Sequence, residues 1–242
     1  MSNLSASWTM IGLDVLMIVY TLWAVAMARP LGRLGPAVAL AMLGWLAALH
    51  WGLTTESLLP KNISGVAFLI VIFAAVGIVG AVLLLVAPVR RLLFGLSQQQ
   101  LMLLQGIRAF FGGTFLMHAS LGVLPQGFGI IDGFTHIGAG FFGLIAAFSL
   151  AAGVKGERRA WFANLFGLAD ILIVASSLAL VLLPQIGPHH PMMYAVFLPA
   201  PLWLWFHVIS IAKLVSPDAA AFRPMRSARS NDSPTASPVS VS

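Results

Sequence analysis

The chain has 242 residues, of which 60% are hydrophobic and only 8% charged, and its mean hydropathy is +0.97. Soluble domains carry about 25% charged residues, so this balance excludes a soluble module and makes the lipid bilayer the principal partner. The formal net charge of +6 arises from 13 Lys and Arg set singly or in pairs, without a basic stripe, which excludes a nucleic-acid partner; the absence of cysteine excludes disulfides, thiolate metal sites and a cysteine nucleophile.

In chain order, apolar runs long enough to cross about 30 Å of hydrocarbon occupy residues 8–28, 35–53, 65–87, 101–124, 128–152, 161–183 and 192–214. No Lys or Arg precedes the first, so it reads as a retained span and not a cleavable signal. Short punctuated breaks separate the runs, among them Leu59-Pro60, Ala87-Pro88, Leu124-Pro125-Gln126-Gly127, Gly153 and Leu183-Pro184. The third run holds Gly77 and Gly80 but no ionisable residue and reads as scaffold. In the fifth, Gly133, Gly138, Gly140 and Gly143 permit close backbone approach and mark a central helix. Pro199 and Pro201 should kink the seventh and free carbonyls there. The expected fold is all-α: a polytopic domain of seven transmembrane helices over 1–216, then a Ser/Pro/Ala/Arg-rich cytoplasmic tail over 217–242, too poor in apolar residues to fold.

Basic residues in short loops set orientation. Arg29 and Arg33, Arg90 and Arg91, Lys155, Arg158 and Arg159, and Lys213 with Arg223, Arg226 and Arg229 follow the odd-numbered runs, whereas the alternate loops hold only Lys61. That pattern predicts an N-out, C-in protein of a bacterial-type inner membrane.

Ionisable residues inside such spans cost roughly 2.5–3.5 kcal/mol each, so they need local compensation. Counting about 1.5 Å per residue sorts them into two depths. The outer layer is Asp14, His50, His118, Asp132 and His136, with His189 and His190 above it; the inner layer is Gln105, Arg108, Asn164, Asp170 and His207. Asp132 and His136 share a helix face. Imidazoles from three helices with a carboxylate suit a transition metal, so His50, His118, His136 and Asp132 form the candidate metal site, with haem as another possible cofactor. The same histidines can instead be satisfied by carbonyls or waters, or line a proton or substrate pathway. Arg108 wants a carboxylate, and Asp170 is the acid at its depth, so the two are expected to form a structural ion pair supported by Asn164, Gln105 and His207; Asp14 supports the outer layer. Alternatively, Arg108 binds an anionic headgroup or carboxylate arriving from the cytoplasmic leaflet. His189-His190-Pro191-Met192-Met193 offers nitrogen and thioether ligands that suit copper.

Arg108 with Gly112 and Phe115-Leu116, then Leu124-Pro125, then Asn164-Leu165-Phe166-Gly167-Leu168-Ala169-Asp170, and a proline-containing last span with His207, together resemble a loose group of uncharacterised bacterial seven-span integral membrane proteins. The resemblance covers about half the chain and implies that Arg108 and Asp170 belong to a shared scaffold. Members often carry Gly-Asp where this chain has Thr135-His136. No activity comes with it, and whether the protein is an enzyme stays open.

Other seven-span chemistries do not fit. A retinal protein needs a lysine deep in the last span and an acid in the third, but Lys213 sits at the lip and the third run has no acid. Seven-span zinc lipid hydrolases cluster histidines on the last span, where His207 is alone. No phosphate-binding loop or Gly-x-Ser-x-Gly elbow occurs. The expected function is therefore an outward-facing His/Asp cavity that binds a metal ion, haem or small molecule; the rivals are a small-solute or proton-coupled carrier and a scaffold or assembly protein.

Overall fold

The computed structural model describes residues 3–28 and 31–215, and every regular element among them is helical. The expected tail over 217–242, and Arg29, Arg223, Arg226 and Arg229 of the charge argument, lie outside the described residues. In order, the helices are α1 (Asn3–Ala26), α2 (Leu34–Thr54), α3 (Gly65–Leu85), the short α4 (Ala87–Phe94) and α5 (Gln98–Leu103), then α6 (Arg108–Ser120), α7 (Gln126–Ala152), α8 (Gly156–Ser177), α9 (Leu183–Ile186), α10 (Met193–Phe197) and α11 (Pro199–Val215). Five helical stretches are long and apolar enough to cross a membrane: Leu4–Ala26, Leu34–Thr54, Gly65–Leu85, Gln126–Ala152 and Gly156–Ile186.

The fourth and seventh apolar runs, expected as single spans, are each divided. Between α5 and α6 the amides of Gln105, Gly106, Arg108, Ala109 and Phe110 bond carbonyls three residues back, at 2.9–3.2 Å. That tighter winding is a 3₁₀ insert, a form that often marks a hinge or a functional position inside a helix. Tyr20 of α1 donates to the Leu103 carbonyl at 2.6 Å and pins the insert. The break before α11 has a simpler cause. Pro199 and Pro201 have no N–H to offer the carbonyls of Ala195 and Phe197, and Trp45 of α2 supplies the missing donor to Phe197 at 2.9 Å. The sixth run winds more widely over a π turn, Leu178–Leu182, just ahead of Pro184, which cannot bond Leu180.

Helix α7 is the centre, as its glycines imply. Gly129, Gly133, Gly140 and Gly143 lie along one stripe toward α5 and α6. A Cβ on them would come within 2.7 Å of Ala119 Cβ, 2.9 Å of the Gly112 carbonyl, 2.7 Å of the Ala109 nitrogen and 3.0 Å of the Met102 carbonyl. His136 falls on the same stripe, midway between Gly133 and Gly140. A bulky polar ring therefore occupies the one position in the row where small residues are not used, and the packing opens around it. The expected approach at Gly138 is toward α8, where a Cβ would touch Phe166 at 3.3 Å. The helix ends on Gly153, whose φ of 71° is the left-handed conformation glycine adopts freely.

Candidate metal centre

The two polar layers meet. Arg108, fully buried at the start of α6, pairs through Nη2 with Asp170 Oδ2 of α8, as the sequence led us to expect. Its Nη1 contacts His207 Nε2 of α11 at 3.1 Å and the Gly167 carbonyl at 3.4 Å. His207 Nδ1 in turn donates to Asn164 Oδ1 at 2.9 Å; the amide of Asn164 donates to Ser210 Oγ at 2.7 Å, and Gln98 donates to that same oxygen. Asn164, Gly167 and Asp170 recur every three residues, so one face of α8 receives the guanidinium and the imidazole together. Glycine is required in the middle because a Cβ on Gly167 would overlap the His207 ring. The Trp203 face, 5.2 Å below the guanidinium, closes the other side. Gln105 is buried but bonds none of these groups, so its expected supporting role is not seen.

On the opposite side of Asp170 stands the outer group. His136 Nδ1 lies 2.8 Å from Asp132 Oδ1 and 3.2 Å from Asp170 Oδ2. None of these contacts has hydrogen-bond alignment: both Asp132 oxygens, Asp170 Oδ1 and His136 Nδ1 are buried without a hydrogen-bond partner. Among the described residues, Asp132, His136 and Asp170 are the one group of three acids or histidines with ligand atoms all within 4.8 Å of one another. Phe115 and Trp203 stand edge-on to the imidazole at 5.3 and 5.8 Å and restrict its rotation.

The separation of Asp170 from Asp132 and His136 by depth therefore does not hold. Rise per residue places Cα atoms, whereas side chains reach across that offset, and Asp170 Oδ2 stands 3.2 Å from His136 Nδ1. His136 itself is ten residues into the 27-residue α7, about 15 Å from its start.

His50 and His118 do not join His136. His50 Nδ1 bonds Tyr194 Oη at 2.7 Å, with the Trp8 ring 5.7 Å away and Ser7 also bonded to Tyr194. Asp14 faces that tyrosine from α1, fully buried with neither oxygen hydrogen-bonded, and so belongs to the His50 group. His118 is buried at the end of α6, opposite His190, with neither nitrogen bonded. The copper option over 189–193 also fails. His190 donates from Nε2 to the Val123 carbonyl at 3.0 Å and accepts the Met192 N–H on Nδ1 at 3.1 Å, while Met192 and Met193 are core residues.

Sequence reasoning missed Asp170 as a neighbour of His136, and it missed Ser210, Gly167 and Trp203. The three-residue spacings Asn164–Gly167–Asp170 and His207–Ser210 were available as signals that one face of each helix is polar.

A cleft leads to the group. It offers about 50 Å³ to the centres of water-sized molecules. Asp132 and His136 are its ionisable lining; the walls are apolar side chains of α3, α6, α8, α10 and α11. No curated protein matches the chain, and no solved structure does. A family model described as "Domain of unknown function (DUF8737)" matches residues 65–215, a stretch that holds Asp132, His136, Asp170 and all their polar partners. Since the match takes in more than half of the chain, the protein belongs to this DUF8737 family.

Proposed function

We propose that the protein is a seven-span, N-out and C-in integral protein of a bacterial-type inner membrane that holds a divalent transition-metal ion between Asp132, His136 and Asp170. The observation that carries this reading is the convergence of the three side chains, in which both Asp132 oxygens, His136 Nδ1 and Asp170 Oδ1 lack a hydrogen-bond partner while Asp170 Oδ2 is held by Arg108. Buried carboxylate oxygens without donors are costly, and a proton can satisfy only one contact at a time, whereas one cation meets all three ligands. Donors about 2.0–2.2 Å from a tetrahedral ion lie about 3.3–3.6 Å apart, near the 3.2 Å between His136 Nδ1 and Asp170; the 2.8 Å to Asp132 would widen by about half an ångström around an ion. Two carboxylates with one imidazole suit Zn²⁺, Mn²⁺ or Fe²⁺. Arg108 then does what outer partners do at metal sites, orienting the ligating Asp170. The cavity beside the group, with about 50 Å³ for the centres of water-sized molecules, takes an ion with a few waters.

Elemental analysis of protein purified without chelator tests this. About one metal per chain is expected, lost in Asp132→Asn and His136→Ala and retained in His50→Ala and His118→Ala. Metal-free wild-type protein whose melting point added Zn²⁺ and Mn²⁺ leave unchanged overturns the reading.

A proton-coupled carrier is the second reading, and the interrupted α5–α6 and α10–α11 segments favour it, since broken helices at mid-membrane line sites in many carriers. With His136 neutral, Arg108 balances one of the two carboxylates, so the group is one positive charge short and a proton supplies it. Proteoliposomes loaded with a pH dye decide this: proton uptake abolished by His136→Ala supports carriage, and no uptake removes it.

A further inference from the structure

The cleft runs sideways, toward lipid. Phe73 of α3 and Leu172 of α8 stand at its wall with about half their surface exposed, 47% and 45%, and both lie in the middle of helices long enough to cross a membrane. Behind them Ile72, Val76, Ala175 and Ala200 continue the apolar wall inward to Asp132 and His136. Pro199 has no N–H to offer the carbonyl of Ala195, another wall residue, so the backbone changes course at this part of the lining, at the break before α11.

An apolar channel with a polar end is shaped for an amphiphile, and charge decides which one. Resting on the metal reading, Asp132 and Asp170 contribute two negative charges, Arg108 one positive and the ion two positive, which leaves one positive charge in excess inside the bilayer. Three protein ligands also leave an open coordination position, as catalytic and substrate-binding metal sites do. One anionic oxygen donor settles both needs, and the narrow inner end restricts it to a small group. We propose that the cleft admits, from the surrounding bilayer, a long-chain monocarboxylate whose carboxylate completes the coordination of the metal while its alkyl chain lies between α3 and α8.

Cobalt substitution gives a readout at the metal itself. Protein loaded with Co²⁺ in lipid nanodiscs is titrated with palmitate, with acetate as the headgroup without the chain and dodecyltrimethylammonium as a chain of opposite charge. Palmitate is expected to shift the visible Co²⁺ bands saturably, at a concentration at least tenfold below acetate, and the cationic amphiphile is expected to leave them unchanged. Leu172→Trp, a lipid-facing change that narrows the mouth, is expected to keep its cobalt and raise the palmitate concentration needed at least tenfold; Ala175→Phe, deeper in the wall, should do the same. Cobalt bound with bands that palmitate never moves, or moves no better than acetate does, overturns the inference and leaves the metal site standing. Failure to take up cobalt at all overturns both.

Discussion

At the scale of single residues, the fold depends on places where one side chain fits because another is missing. Gly167 is the clearest. Its Cβ would overlap His207 Nε2 and stand 3.1 Å from Arg108 Nη1, so Gly167→Ala should cost about 1–3 kcal/mol by overpacking. The same change made with His207→Ala should cost little, and a coupling of about 1 kcal/mol or more between the two, measured by unfolding in detergent, identifies the ring as the reason for the glycine. His190 makes a different prediction. Burial pushes its imidazole below the ordinary value, and the bond to Val123 offsets only part of this. The unfolded chain therefore takes up the proton first, so stability is complete above about pH 6.5 and falls as pH drops below it. Protonation also removes the acceptor for the Met192 N–H. Wild-type protein should lose more melting temperature between pH 7.5 and pH 5.5 than His190→Gln does, even though His118, which faces the same ring, is present in both; equal losses would refute the assignment. Residue types foretold the pairing of Arg108 with Asp170 because an arginine in a span has so few possible partners. They did not foretell that His136 shares Asp170, since a helix-depth count is blind to how far a side chain reaches.

At the scale of elements, the sequence marked α7 correctly as the central helix, because glycine spacing records directly where backbones touch. It was silent about which glycine of a scaffold helix matters. On α3 a Cβ at Gly77 meets nothing, whereas one at Gly80 would run into the Trp205 ring, whose Nε1 donates to the Val76 carbonyl at 2.8 Å. Gly77→Ala should thus be neutral or stabilising by up to about 1 kcal/mol, and Gly80→Ala should destabilise by about 1–3 kcal/mol as Trp205 is displaced from α3. Equal melting temperatures for the two variants would show that the Trp205 contact does not hold α3 to α11. Hydropathy likewise saw the fourth and seventh runs as uniform. Their interruption follows from backbone bonding, at the 3₁₀ insert of 104–107 and at Pro199 and Pro201, and an apolar average does not register it.

At the scale of the whole molecule, the number of crossings turns on those two divided segments. Five helices are long and apolar enough to cross a membrane, and seven crossings require that α5 with α6, and α10 with α11, each act as one. Side-chain contacts support the pairing of ends this implies: Lys213 at the close of α11 bonds the Phe94 and Leu96 carbonyls, and Arg159 of α8 bonds Ser149 of α7, while Lys61 pairs with Glu56 in the loop between α2 and α3. The absence of cysteine makes the test direct, because single cysteines can be introduced without removing any. In intact cells a membrane-impermeant maleimide should label Ser57→Cys, Ser120→Cys and Gln185→Cys, and should reach Gln99→Cys, Val154→Cys and Val215→Cys only after permeabilisation. Equal labelling at Gln99 and Ser120 would show that α5 and α6 do not cross, and equal labelling at Gln185 and Val215 would show the same of α10 and α11. Either result would also bear on the Asp132–His136–Asp170 group, since Arg108 pairs with Asp170 from α6 and His207 contacts Arg108 from α11, and a group supported by helices that fail to cross would be expected near a membrane surface.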